Sequence, residues 1–169
     1  TTPNLADRDY FRAHADTFDT GLFISPHLAS RLDGSEISAF SLRINSDGGQ
    51  FLGVALAAIV GSRLDDILAQ QHLPTGYRIQ LTLTDGSGLA CFPQRANCRT
   101  ENWRGAPLFH EHLSTARQGM LKDAVLLDEP IGFASYRSSG RYPVVVSATA
   151  EKTVVMAVWH RNLVGYFFT

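Results

Sequence analysis

EISAFSLRINSDGGQFLGVALAAI, residues 36–59, decides the architecture. EISAFSLRIN (36–45) and GQFLGVALAAI (49–59) are strand-like runs, and the SDGG between them is a strong hairpin signal, because glycine accepts the positive φ that a tight turn demands. Alternation along the first run puts Ile37, Ala39, Ser41 and Arg43 on one face and Ser38, Phe40, Leu42 and Ile44 on the other. Arg43 therefore stands mid-strand beside apolar neighbours. Such an arginine suits a carboxylate ligand, held by two parallel charge-assisted bonds. It equally suits an internal pair with an acid such as Asp7 or Asp9.

Upstream, ADRDYFRAHADTFDTGLFIS (6–25) reads as a short helix from Asp7 to about Ala15, followed by the β-prone GLFIS. A carboxylate at Asp7 fits the unpaired N–H groups of a helix start. Downstream, SRLDDILAQQ (62–71) sets Leu64, Ile67, Leu68 and Gln71 at helical spacing behind a cap at Ser62. The pattern then restarts. YRIQLTLTDGSGLACF (77–92) is a second strand, Asp-Gly, strand unit, and APLFHEHLST (106–115) is a short helix. Three further strands are predicted in GMLKDAVLLD (119–128), IGFASYRS (131–138) and YPVVVSAT (142–149), and a last helix from near Glu151. HLPTG (72–76) marks the boundary, giving units over 1–73 and 74–162. Antiparallel hairpins with few helices predict an α+β fold, not a doubly wound parallel sheet.

Of the 169 residues, 44% are hydrophobic and 18% charged, which predicts a packed core. Fifteen basic residues against sixteen acidic ones, with no basic stripe, give no electrostatic basis for binding nucleic acid. No run of eighteen apolar residues occurs, so the sequence carries no membrane span of its own. The start lacks an initiator Met and a signal segment and has the look of a cut end. VVMAVWHRNLVGYFFT (154–169) turns apolar and aromatic after Trp159, His160 and Arg161, as a chain does at the water–membrane boundary; a terminal core element is the other reading. Cys91 and Cys98 match no zinc pattern. In an oxidising compartment they would close a small loop, and in the cytosol they would be two thiols; the membrane-boundary reading favours the loop.

No catalytic constellation assembles. His110 and His112 in HEH lie at i, i+2 and diverge on a helix, whereas a zincin needs i, i+4. The remaining histidines have no ligand-like spacing, and no serine sits in a G-x-S-x-G turn. A small hydrolase using His14 or His110 is the enzymatic alternative, and it lacks a nucleophile, base and orienting group in sequence. No metal or cofactor is expected. Tyr10, Phe11, Phe23 and Phe40 either wall a pocket or fill a core.

ADRDYFRAH with GLFIS, followed by SLRINSDGGQFLGVALAAI, closely resembles the double-Cache (PDC) sensor domains of bacterial membrane receptors, nearest to those ahead of diguanylate cyclase and histidine kinase modules. TLTDGSGLACFP, PLFHEHL and IGFASYRSSGRYPVVVSATAEKTVVMAVW resemble the membrane-proximal unit and its exit helix, so the resemblance covers nearly the whole chain. It implies two PAS-like units with antiparallel sheets in the periplasmic part of an inner-membrane receptor. The family places a long helix and a strand hairpin before the aspartate–arginine–aromatic motif, so the membrane-distal unit (1–73) is expected to lack its N-terminal helix and first strands. The proximal unit would span 74–162, and 163–169 would begin the membrane boundary. The resemblance implies a non-enzymatic domain that binds a small anionic metabolite, with a homodimer possible in the full receptor and membrane contact only through flanking segments. Tyr10, Phe11, Phe23, Ser25, Phe40 and Arg43 would wall the distal ligand pocket, while Asp7 and Arg8 brace the helix. Tyr136 and Arg137 would line a second, empty or structural pocket. The tyrosine–arginine–tryptophan pattern of amino-acid-binding relatives is not visible. A non-binding structural or dimerisation module is the alternative.

Overall fold

The computed structural model describes residues 4–18, 20–126 and 129–157. The chain divides into two compact units at Asp66/Ile67, within its second helix. In the first unit a seven-residue helix α1 (Asp9–Ala15) precedes two short strands, β1 (Phe23–Ile24) and β2 (Leu28–Ala29), and the hairpin β3 (Glu36–Asn45) and β4 (Phe51–Val60). Helix α2 (Gly61–Ala69) follows at once, starting one residue before the expected cap, so Ser62 lies inside its first turn. Likewise α1 begins at Asp9, not Asp7, and Arg8 occupies the cap position without a side-chain cap bond.

The hairpin forms where local chemistry directs it. Ser46 N–H bonds Gln50 O at 2.9 Å, and Gly49 closes the turn at φ +80°, a region costly for other residues. β1 and β2 pair antiparallel with one edge of β3, and β4 pairs with the other. On β3 the face of Ile37, Ala39, Ser41 and Arg43 is the one that meets α1, since Ser41 and Arg43 both bond to it. β4 is the exception to ordinary burial. It has no partner on its outer edge among the described residues, and Leu52 and Leu56 stand 66% and 42% exposed.

The second unit is a five-stranded antiparallel sheet in the order β6-β5-β9-β8-β7, made of β5 (Tyr77–Leu83), β6 (Gly88–Phe92), β7 (Gln118–Leu126), β8 (Glu129–Ser138) and β9 (Val144–Ala150). Between β6 and β7 run a 3₁₀ turn, Trp103–Gly105, and a single π-helical turn, Leu108–His112. Leu108, Tyr136 and Val145 form a buried cluster, flanked by Phe109, Leu113 and Leu121. Gly86, at φ +88°, takes this covering segment against its backbone: a Cβ there would stand 2.3 Å from Arg104 N. Cys91 and Cys98 are joined by a disulfide with their Cα atoms 6.0 Å apart. Residues 152–157 are helical after β9. Trp159, His160, Arg161 and the expected boundary segment 163–169 lie outside the described residues.

β8, β9 and the helix at 152–157 repeat the plan of β3, β4 and α2. The units differ at one edge. β9 pairs onward with β5, and β5 with β6, whereas the equivalent edge of β4 is open among the described residues.

Candidate functional site

The residues of interest in the first unit gather between α1 and β3. Tyr10 and His14, four apart on α1, face the sheet and are buried, His14 completely. His14 Nε2 lies 3.0 Å from Ser41 Oγ, and Ser41 Oγ donates to Tyr10 O at 3.2 Å. With the Ser41 proton so placed, Nε2 carries the imidazole proton and Nδ1 is left as an acceptor. Phe23 pairs with Ser41 across β1 and β3 and meets His14 edge-on, ring centres 6.3 Å apart. Ser25, 3% exposed, hydrogen-bonds Ala39 O through its N–H at 2.8 Å and donates its hydroxyl to Pro26 O at 2.8 Å.

Arg43 is not the partner of Asp7 and is engaged mainly by the main chain. Its Nη1 donates to the carbonyls of His14 and Thr17, and its Nε to Asn45 Oδ1 at 2.7 Å. The guanidinium lies 4.6 Å from the Phe51 ring centre and 5.5 Å from that of Phe18, and Phe51 meets Phe11 edge-on at 5.6 Å. A cation at the C-terminal carbonyls of α1 is favourable with the helix dipole, and the aromatic faces add to it. Arg43 thus fastens the end of α1 to β3. The expected partner acid Asp7 instead makes a two-pronged pair with Arg31, both contacts 2.6 Å. That pairing holds the Asp7 carboxyl at about 2, with the Arg31 hydrogen bonds as the leading cause. Arg8 Nη2 bonds Ala29 O at 2.8 Å, so Asp7 and Arg8 tie the start of α1 to the chain around β2.

Phe40 does not join this group. It pairs with Ile24 and with Ala57 on the opposite face of the sheet, because adjacent strand residues alternate. Two polar atoms on the α1 side remain buried without a protein partner among the described residues, Arg8 Nε and His14 Nδ1. The His14–Ser41 contact is not among the expectations from sequence. The i, i+4 spacing of Tyr10 and His14 was the available signal.

In the second unit Tyr136 and Arg137, neighbours on β8, point to opposite faces. The Tyr136 ring fills the core with Leu108 and Val145, its hydroxyl 3.2 Å from the carbonyls of His112 and Ala116. Arg137 faces outward into a cleft of about 410 Å³ that both Arg137 and Tyr136 line, with Ser135, Val144, Val146 and Ala148. His110 and His112 flank the Glu111 carboxylate at 3.7 and 4.0 Å, and His110 Nε2 lies 3.2 Å from Gly105 O.

No family model and no curated protein matches the chain. Solved structures do. The extracellular domain of rpHK1S-Z16, described as a histidine kinase, is 26% identical with a TM-score of 0.78, over 92% of this chain and 64% of that one. The periplasmic sensory domain of the Campylobacter jejuni chemoreceptor Tlp1 is 16% identical with a TM-score of 0.68, over 90% and 57%. The ligand-binding domain of the Pseudomonas fluorescens chemoreceptor CtaA in complex with L-isoleucine is 11% identical with a TM-score of 0.62, over 92% and 62%. This chain therefore spans less than two thirds of the length of each. It has the Cache-type fold of the extracytoplasmic sensory domains of bacterial histidine kinases and chemoreceptors, a sensory and non-catalytic class.

Proposed function

We propose that the chain is the ligand-sensing part of a transmembrane receptor, and that it binds a small carboxylate-bearing metabolite against α1 in the first unit. The observation that supports this is the pair of buried, unpartnered polar atoms Arg8 Nε and His14 Nδ1. Buried polar atoms nearly always find partners, and one that does not calls for a water or a ligand. Arg8 caps the start of α1 and His14 lies in its last turn, so the two atoms belong to opposite ends of the helix. Arg8 Nε offers a donor to a carboxylate oxygen and His14 Nδ1 an acceptor to a hydroxyl or ammonium. Tyr10, Phe11, Phe23 and Ser25 supply the wall. Arg43 acts as the positioning residue that holds α1 in place, and Phe40 has no part. The neighbours crystallised with amino acids, CtaA with L-isoleucine among them, bind ligands of this general chemistry.

Ligand uptake would tighten the first unit around α1 and shift the helix at 152–157, biasing an output module between two states by the difference in affinity for them. The engagement of Arg43 by main-chain carbonyls favours the second reading, a structural unit that binds nothing. A thermal-shift screen against carboxylates, with Arg8→Ala and Arg43→Ala beside the wild type, decides between them. A ligand at a hundredfold over its Kd adds about 2.7 kcal/mol. The sensing reading expects a hit that Arg8→Ala abolishes with the fold intact, while Arg43→Ala lowers Tm without ligand. A folded protein that no carboxylate stabilises supports the structural reading. Unchanged hydrogen exchange at 152–157 on saturation would remove the relay.

A further inference from the structure

We propose that the second unit carries an oxyanion site at the loop end of its sheet, where Arg117 and Arg137 flank the Ser138–Ser139–Gly140 turn and take a small dianion between them. These residues meet where the β7–β8 ladder ends. Gln118 pairs with Arg137 at the first rung of β7 and β8, and Ser138 N–H bonds Arg117 O at 2.7 Å. Arg117, Gln118, Arg137, Ser138, Ser139 and Gly140 line one cleft of about 450 Å³. No carboxylate lines it, and none of the ion pairs among the described residues involves either arginine. The cleft thus offers two guanidinium groups and no counter-charge of its own, which suits an oxyanion that both can hydrogen-bond.

The turn is built to donate. Ser139 Oγ accepts from the N–H groups of Arg141 and Tyr142 at 3.2 and 3.1 Å, which occupies its lone pairs and leaves its proton for a ligand. The turn is closed by the Ser139 N–H bond to Val144 O at 2.9 Å, so that donor is held in position. Gly140 lets Arg117 lie against the main chain, since a Cβ there would come within 3.0 Å of Arg117 Nη1. The site belongs wholly to the second unit and shares no residue with the α1 face.

The test is an NMR titration of the amides of Ser139 and Gly140 with sulfate and, separately, with succinate, against sodium chloride at matched ionic strength. The expected result is saturable movement with at least one dianion and none with chloride. Arg117→Ala and Arg137→Ala should each weaken it by about tenfold or more, as for loss of a charged hydrogen-bonding partner. Saturation by sulfate alone assigns a tetrahedral oxyanion, and saturation by succinate alone a dicarboxylate. Movement that is linear, matched by chloride, or unchanged in both arginine variants overturns the site.

Discussion

At the scale of single residues, α1 is held by a buried polar chain at its centre and by ionic contacts at its ends. Ser41→Ala removes the acceptor of His14 Nε2–H and the donor to Tyr10 O, leaving both groups buried. Such a loss costs about 2 kcal/mol, which urea unfolding of wild type and variant reads directly. Asp7 acts at the surface and depends on pH. Its carboxyl lies at about 2 in the fold against 3.8 for the ordinary group, so its stabilisation is fully present above the ordinary carboxylate range and is lost as pH falls through the folded value. The Tm difference between wild type and Asp7→Asn should therefore be constant from neutrality to about pH 5 and shrink between about pH 4 and 2. A difference that persists at pH 2 would mean that the charge plays no part. Little of this network was legible in the sequence. The four-residue spacing of Tyr10 and His14 marks a common face, but Ser41 is 27 residues from His14, and Arg43 spends its charge on main-chain carbonyls that carry no sequence signal.

The elements themselves were far more legible, because turns and alternation are local. SDGG and TDGSG fixed two hairpins, and every strand expected in the second unit stands within a few residues of its predicted place. β4 is where local reading stops. FLGVALAAIV is a continuous apolar run, yet Leu52 and Leu56 are exposed and the outer edge is open among the described residues. Which strands surround a strand is a property of topology, not of its own sequence. β4 also carries no charge and no proline, the usual guards of an edge. Leu52→Lys should accordingly raise the concentration at which the chain stays monomeric in light scattering, while stability moves by no more than about 0.5 kcal/mol. An unchanged scattering profile would show that this edge does not drive association.

For the molecule as a whole, the two units are built to different standards of closure, and their stability should follow. In the first, β1 and β2 have two residues each and β4 lacks an outer partner among the described residues. In the second, β9 is paired along both edges, over seven residues with β5 and six with β8, and the Cys91–Cys98 bond closes a loop in the adjoining chain. A loop of that size restricts the unfolded chain by about 2 kcal/mol. Hydrogen exchange should then show β9 amides as the slowest in the molecule and β3 and β4 amides opening earlier, since opening free energies track local closure. Adding a reductant should accelerate exchange in β5, β6 and β9 while leaving β3 and β4 unchanged. Equal acceleration in both sheets would mean that the two units unfold as one cooperative block. Independent opening has a consequence for sensing: a ligand on α1 would act on the less stable unit, where a few kcal/mol is a large share of the total and the population shift is correspondingly large.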